Sequence, residues 1–280
     1  MPTPTPAPDA PATAAALARL EGGAQALWQS LAPWWPGLAV EVVPTIDSTN
    51  AELMRRARAG LTDPVVLAAA SQSAGRGRLG RSWVTVPGAS LALSIGLPLA
   101  PADWAGLSLA VGVAVAEALD PAVQLKWPND QCWQGRKLGG ILIETAPIDP
   151  ARPASRYAVI GIGLNLATPR LPPDAPADAL PPIGLEALPH DGGHPAHDIG
   201  YWLARVGAAT LQAVQDFERA GFAPLQSRYA ARDALRGQRV RTSDGGEGIA
   251  DGVDADGALR LRTPEGVRRV QQGEVSVRPC

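Results

Sequence analysis

The apolar positions of the chain fall into runs separated by polar and Gly/Pro-rich breaks, and the runs predict its elements. Residues 15–31 read as a helix closed by Trp34-Trp35-Pro36, whose aromatic bulk is expected on the domain's edge, and 40–46 read as a strand. Thr49-Asn50-Ala51-Glu52 has capping-box spacing, with Thr49 placed to accept from the third amide and Glu52 to reach back, and Gly60 suits the helix exit. Asp47-Ser48-Thr49-Asn50 is therefore a strand-to-helix junction. Residues 65–70 form a buried-strand run that leads into the loop Gln72 to Trp83. The uncharged stretch 82–102 is about as long as a membrane span. Pro87, Pro98 and Pro101 interrupt it, and Leu91-Ala92-Leu93-Ser94-Ile95 alternates loosely like a sheet strand, so it predicts a strand of a soluble protein.

Further on, the pattern predicts a helix over 104–119, a strand over 123–127, a turn at Pro128-Asn129-Asp130 and a strand over 138–144 opened by Lys137. A third apolar run covers 157–166 with Asn165 set inside it. Residues 168–197 are a Pro-, Gly- and Asp-rich excursion. Asp198 can cap a long helix to 220, and a shorter one covers 224–232. From 235 onward short strands at 240, 249–250, 259–261, 267–270 and 275–277 alternate with Asp244-Gly245-Gly246, Asp256-Gly257 and Pro264-Glu265-Gly266. Turns at roughly ten-residue spacing without helices predict a small β-barrel. The expected organisation is a Pro/Ala-rich disordered tail over 1–14, a main domain over 15–234 and a barrel over 235–280.

Composition narrows the class. With 46% hydrophobic and 19% charged residues in 280, the chain can form a sizeable core. Lys and Arg number 25 against 27 Asp and Glu, a net charge of −2, which argues against coating nucleic acid or an anionic membrane by bulk charge. Any basic site must be local. Cys132 and Cys280 stand far apart with no C-x-x-C, so neither a disulfide framework nor a zinc site is indicated, and a reducing cytoplasm fits. The N-terminus lacks the basic and apolar blocks of a signal peptide.

The loop after the second strand is where charge concentrates. Gly75-x-Gly77-x-x-Gly80 matches the dinucleotide fingerprint, but that motif needs a helix opening at the last glycine and an acidic residue about twenty positions on. Here Trp83-Val84-Thr85-Val86-Pro87 follows, and no Asp or Glu occurs between Asp63 and Asp103. The loop's only ionisable side chains are Arg76, Arg78 and Arg81. From composition alone such a loop is more often a solvated or weakly nucleic-acid-binding surface; the alternative is that the arginines, spaced by glycines, clamp a phosphate or carboxylate. Few aromatic residues and no basic helix accompany the loop, which counts against nucleic acid.

Lys137 at a strand's start reads as a solvated flank, and Asn129 and Asp130 as turn residues. Asn165 differs, because a buried amide in an apolar strand needs partners or costs about 1 to 3 kcal/mol, and a ligand could be one partner. His190, His194 and His197 lie in a segment too rich in Gly and Pro to fix metal geometry, so no metal site is expected there.

Taken together, Asp47-Ser48-Thr49-Asn50, Gln72-Ser73-Ala74-Gly75-Arg76-Gly77-Arg78, Gly80-Arg81-x-Trp83, Lys126-Trp127-Pro128-Asn129-Asp130, Lys137-Leu138-Gly139-Gly140-Ile141-Leu142-Ile143-Glu144 and Gly161-Ile162-Gly163-Leu164-Asn165 resemble, in order and spacing, the motif series of biotin protein ligases. The resemblance runs from about residue 40 to Arg278. It implies an α+β fold: a mixed sheet with flanking helices similar to class II aminoacyl-tRNA synthetase cores, followed by an SH3-like barrel. It also implies a two-step reaction. Biotin and ATP with Mg2+ give biotinyl-5′-adenylate and pyrophosphate, and a lysine of the biotin carboxyl carrier protein of acetyl-CoA carboxylase then takes the biotinyl group. By the same resemblance Lys137, Arg76 and Arg78 act in catalysis. Ser48, Thr49, Asn50, Gln72, Arg76, Gly77, Arg78 and Lys137 line the biotin site, and Arg78, Arg81, Trp83, Asn129, Asp130 and Asn165 lie near ATP or the adenylate. The loop would order over the adenylate and shield it from water. Leu79 stands where some relatives carry another arginine. The roughly forty residues before the first motif are too few and too Pro/Ala-rich for the winged-helix module of repressor members, so the expectation is a cytoplasmic ligase, monomer or homodimer, without DNA or membrane binding. The rival within the fold is a lipoate or octanoyl ligase or transferase.

Overall fold

A computed structural model of the chain describes residues 9–149, 151–152, 154–170, 180–189, 197–271 and 277–279. Most of the excursion at 168–197, His190, His194 and Cys280 lie outside the described residues. In chain order the elements are α1 (Ala10–Leu31), β1 (Ala39–Ile46), α2 (Thr49–Arg58), β2 (Val65–Gln72), β3 (Ser90–Leu99), α3 (Leu107–Leu119), β4 (Gln124–Lys126), β5 (Asp130–Trp133), β6 (Arg136–Pro147), β7 (Arg156–Asn165), α4 (Ile199–Ala220), α5 (Gln226–Ala230), β8 (Arg239–Thr242), β9 (Glu247–Val253), β10 (Leu259–Thr263), β11 (Gly266–Val270) and β12 (Val277–Pro279). The fold is α+β. Seven strands form one sheet in the order β1-β2-β3-β7-β6-β5-β4, and five form another in the order β11-β10-β9-β8-β12. The first sheet is mixed, with β1 parallel to β2 and β3 antiparallel to both β2 and β7. No helix among the described residues is long and apolar enough to cross a membrane.

The chain divides into two compact units. The first comprises Met1–Leu99, Leu142–Pro169 and Ile183–Ala208. Its centre is β2, buried over Val65–Ser71, beside β3 and β7. Apolar side chains on both faces of these strands explain their continuous hydrophobic reading. Leu53, Met54 and Ala57 of α2 pack against Val65, Leu67, Ala146, Tyr157 and Val159. Helices α1 and α4 meet backbone to backbone: a Cβ added at Gly23 would lie 2.2 Å from the Gly200 carbonyl oxygen. As expected, Asp198 caps α4, its Oδ1 accepting from the amides of Gly200 at 3.0 Å and Tyr201 at 3.1 Å.

The second unit comprises Ala100–Ile141, Arg170–Pro182 and Ala209–Cys280. Helix α3 is buried along almost its whole length, including Leu107, Ala110, Val111, Val113, Val115 and Ala116. Strands β4 and β5 form a hairpin across the cis Trp127–Pro128 bond, and the buried Trp127 indole donates to the Gly257 carbonyl at 3.1 Å. The Arg232 guanidinium caps the end of α3's exit loop through the carbonyls of Asp120, Pro121 and Val123. Strands β8 to β12 all pair antiparallel.

Several expected boundaries move. α1 starts at Ala10 rather than 15, with a proline accepted in its first turn, where no intrahelical N–H bond is lost. Trp34 is 76% exposed, so the aromatic pair does not pack as a unit. α3 starts at Leu107 rather than 104, because Asp103 Oδ1 takes the Ala105 amide in a local turn and Gly106 enters at φ +83°. Asp130 is the first residue of β5 rather than only a turn residue.

Candidate functional site

In the first unit the site grows from the junction of β1 and α2. Asp47 accepts from the Ser48 amide at 2.7 Å and takes both terminal nitrogens of Arg55, at 2.7 and 2.9 Å. The guanidinium holds its carboxyl down at about 2. The cap of α2 is Ser48, whose Oγ accepts from Ala51 N at 3.4 Å. The expected Thr49–Glu52 capping box is thus corrected by one residue. Glu52 instead binds Arg55 and Arg56, and Thr49 is occupied elsewhere. Its amide donates to Gln72 Oε1 at 2.8 Å, and its hydroxyl lies 3.2 Å from the same oxygen and 2.7 Å from Ser94 Oγ. Gln72 Nε2 donates to Thr85 Oγ1 at 3.2 Å.

Asn50 completes this group. Its Nδ2 donates to the Leu142 carbonyl at 3.2 Å and to Glu144 Oε2 at 3.0 Å, while Ser94 Oγ stands 2.6 Å from its Oδ1. Ser94 pairs across the ladder with Gly161. A Cβ at Gly161 would lie 2.1 Å from Asn50 Oδ1, so the glycine is what admits the amide. Two residues on, the ring of Trp83 lies against Gly163 in the same way. The Trp83 indole N–H is buried without a partner among the described residues, a donor left for a ligand or water. Asn165 donates to the Ile183 carbonyl at 3.2 Å, which gives the buried amide a protein partner.

The arginine loop is a short hairpin. Trp83 N donates to Gly75 O at 2.9 Å, Gly77 N to Arg81 O at 2.7 Å, and Arg76 bridges Ser82. At its tip Leu79 and Gly80 both adopt left-handed backbone, φ 57° and 71°. Arg76 and Arg81 are exposed and make no ion pair with any described residue, whereas Arg78 is half-buried.

The second unit holds a separate charged group. Lys137 Nζ donates to Asp130 Oδ1 at 2.6 Å, and Lys126 Nζ lies 4.0 Å from Asp130 Oδ2. Lys126 is 5% exposed, Asp130 15% and Lys137 30%, so Lys137 is no solvated flank. The pairing of β5 with β6 brings them together, Asp130 standing opposite Gly140. A Cβ there would lie 3.4 Å from Lys137 Nζ. Asn129 Nδ2 donates to the Ile141 carbonyl at 2.8 Å and its own carbonyl accepts from Ile141 N, so it binds strand as well as turn. Cys132 is a free thiol that burial pushes up to about 12.

The structure therefore brings Ser48, Thr49, Asn50 and Gln72 together, packs Trp83 on Gly163, and pairs Lys137 with Asp130. Sequence reasoning assigned no role to Ser94, Glu144 or Lys126. Glu144 and Lys126 stood in quoted motifs, while Ser94, inside an apolar strand, carried only the signal of a hydroxyl in a buried run.

Comparison with known proteins gives the family. Residues 42–165 match the Biotin/lipoate A/B protein ligase family and residues 237–278 the Biotin protein ligase C terminal domain. The chain is 35% identical to the biotin--[acetyl-CoA-carboxylase] ligase of Mycobacterium tuberculosis, over 79% of this chain and 82% of that one. It is 36% identical to the enzyme of the same name from Paracoccus denitrificans, over 82% and 96%. With the bifunctional ligase/repressor BirA of Escherichia coli it shares 34% identity over 86% of this chain and 75% of the other. Among solved structures, the biotin protein ligase of Aquifex aeolicus in complex with biotin and ATP superposes with a TM-score of 0.65, covering 87% of this chain and 98% of that one at 24% identity, a likeness of fold.

Proposed function

The chain belongs to the biotin protein ligase family, and from that premise we propose that it is a biotin–[acetyl-CoA-carboxylase] ligase, which activates biotin as biotinyl-5′-adenylate and passes the biotinyl group to a lysine of the carboxyl carrier protein. The observation that carries the reading is the hydroxyl and amide set of the first unit. Ser48, Thr49, Asn50 and Gln72 are buried or half-buried, Thr49 is bonded to Gln72 and linked through Ser94 to Asn50, and the set offers polar groups to a small ring with its own carbonyl and N–H groups. A ureido ring has these groups; a lipoyl or octanoyl chain has none.

The reaction must bring a carboxylate against the α-phosphate of ATP, two anions that repel. Arg76, Arg78 and Arg81 can screen that repulsion, and Lys137 is assigned to the charge that develops between carboxylate and phosphate. The Lys137 ammonium rests on Asp130 at 2.6 Å, which keeps it in place until substrate anions compete for it. Trp83, Asn129, Asp130 and Asn165 are assigned to the adenylate. Mg2+ would enter with the phosphates of ATP and neutralise their charge there. We read the seven-stranded sheet as similar to class II aminoacyl-tRNA synthetase cores and β8 to β12 as an SH3-like barrel, with the domain boundary near 234 and a cytoplasmic location.

Mass spectrometry of a purified carboxyl carrier domain, after incubation with this protein, biotin, ATP and Mg2+, tests the proposal. One added biotinyl group is expected. Modification by lipoate or octanoate in place of biotin would give the site to the rival chemistry.

A further inference from the structure

Glu144, Asn50, Ser94 and Thr49 of the first unit form a line of hydrogen bonds whose acceptor end orders the protons along it. The Leu142 carbonyl and the Glu144 carboxylate both accept, at 3.2 and 3.0 Å, so the NH2 of Asn50 faces them and its Oδ1 faces away. Ser94 Oγ is 2.6 Å from that oxygen, which has no proton to give, so the serine hydroxyl donates to it. With its one proton spent, Ser94 Oγ must accept in its 2.7 Å contact with Thr49 Oγ1. The threonine proton therefore goes to Ser94, with Gln72 Oε1 at 3.2 Å the more distant acceptor, and it stays within the protein. Thr49 is left as an acceptor. Its neighbour is set the other way, because Ser48 Oγ accepts from Ala51 N at 3.4 Å and keeps its own proton to donate. Ser94 is fully buried, and Gly161 opposite it supplies the room that the Asn50 amide needs.

We propose that Ser94, with Glu144 acting through Asn50, is a positioning residue that sets the polarity of the hydroxyl pair, donor at Ser48 and acceptor at Thr49. The pair selects a ligand that presents a carbonyl beside an N–H over one of the same shape that presents a ring oxygen. The inference rests on the biotin reading of this site and adds what enforces it. Leaving a hydroxyl rotor free would let the site accept either ligand group; locking it against acceptor-only atoms makes the wrong group face lone pair against lone pair.

The test is calorimetric binding, on the full chain, of biotin and of the two cyclic carbamate analogues in which one or the other ureido N–H is replaced by oxygen. The wild type is expected to prefer biotin over one of the two carbamates by about a hundredfold. In Ser94→Ala the Thr49 hydroxyl keeps only its longer contact with Gln72 and can turn toward the ring oxygen, so that preference should shrink to about tenfold. Ser94→Thr should retain the wild-type ratio. An unchanged ratio in Ser94→Ala overturns the proposal even if both affinities fall, since a purely structural serine would weaken both ligands alike. A wild type that binds both carbamates as tightly as biotin overturns it without any variant. A wild type that binds no biotin overturns the functional reading, and the positioning role with it.

Discussion

The indole of Trp83 occupies the space that a side chain at position 163 would need: a Cβ built on Gly163 would lie 2.4 Å from the ring's Cε2 atom. Gly163→Ala should therefore displace the ring rather than the strand, because β7 is bonded along its length to β3. Overpacking of this kind costs about 1 to 3 kcal/mol, so the apparent KM for the substrates should rise roughly tenfold to a hundredfold. Circular dichroism should remain that of the wild type. Steady-state kinetics with unaltered KM values would separate Trp83 from the site.

Lys137→Ala should slow adenylate formation by about a hundredfold to a thousandfold, read as pyrophosphate release in a single turnover. The melting temperature should change little, because the lysine is 30% exposed and Asp130 keeps Lys126 nearby. Turnover near the wild-type rate would remove Lys137 from the mechanism.

Asp47 gives a pH dependence with a definite sign. Arg55 depresses its folded-state pKa to about 2, from an ordinary value near 3.8. The stabilisation is present above the ordinary value and is lost as pH falls through the depressed one. The pair is exposed, 50% for Arg55 and 41% for Asp47, so solvent screening limits it to about 1 kcal/mol. Urea unfolding of wild type and Asp47→Asn should differ by that amount at pH 7 and converge as the pH falls from 4 toward 2. A gap that persists at pH 2 would assign the effect to something other than the charge.

The hairpin of the arginine loop carries Leu79 in the left-handed region, a conformation that costs a residue with a Cβ roughly 1 to 2 kcal/mol. Asparagine tolerates it better. Leu79→Asn should therefore slow hydrogen exchange at the Gly77 and Trp83 amides, the two that close the hairpin, by about fivefold. Biotin with ATP should protect residues 72–83 further if the loop orders over the adenylate. Equal exchange with and without ligands would deny it that role.

Much of this architecture was legible in the chain because the deciding signals are local. The alternation at Leu91 to Ile95, the run at 65–70 and the Asp198 cap all name elements that the structure contains. The Lys137–Asp130 pair was legible only as two residues in two motifs, since it depends on the register of β5 against β6, which no short pattern encodes. Thr49 shows the limit of local rules. Its spacing to Glu52 satisfies a capping box, yet Gln72 from β2 and Ser94 from β3 compete for its polar groups and win, and the cap passes to Ser48. Ser94 itself could not be singled out, because its importance arises entirely from partners distant in sequence.

The two glycines of β7 bear on any attempt to re-engineer the protein toward other acids. At 161 and 163 the wall is bare main chain, already filled by the amide of Asn50 and the ring of Trp83. Mutational libraries at those two positions can only subtract space and will return mostly inactive clones. Useful diversity should instead be placed on the side chains that fill the gap, at Trp83 and at Asn50 together with Ser94, where a smaller or reoriented group opens volume while the strand beneath stays intact.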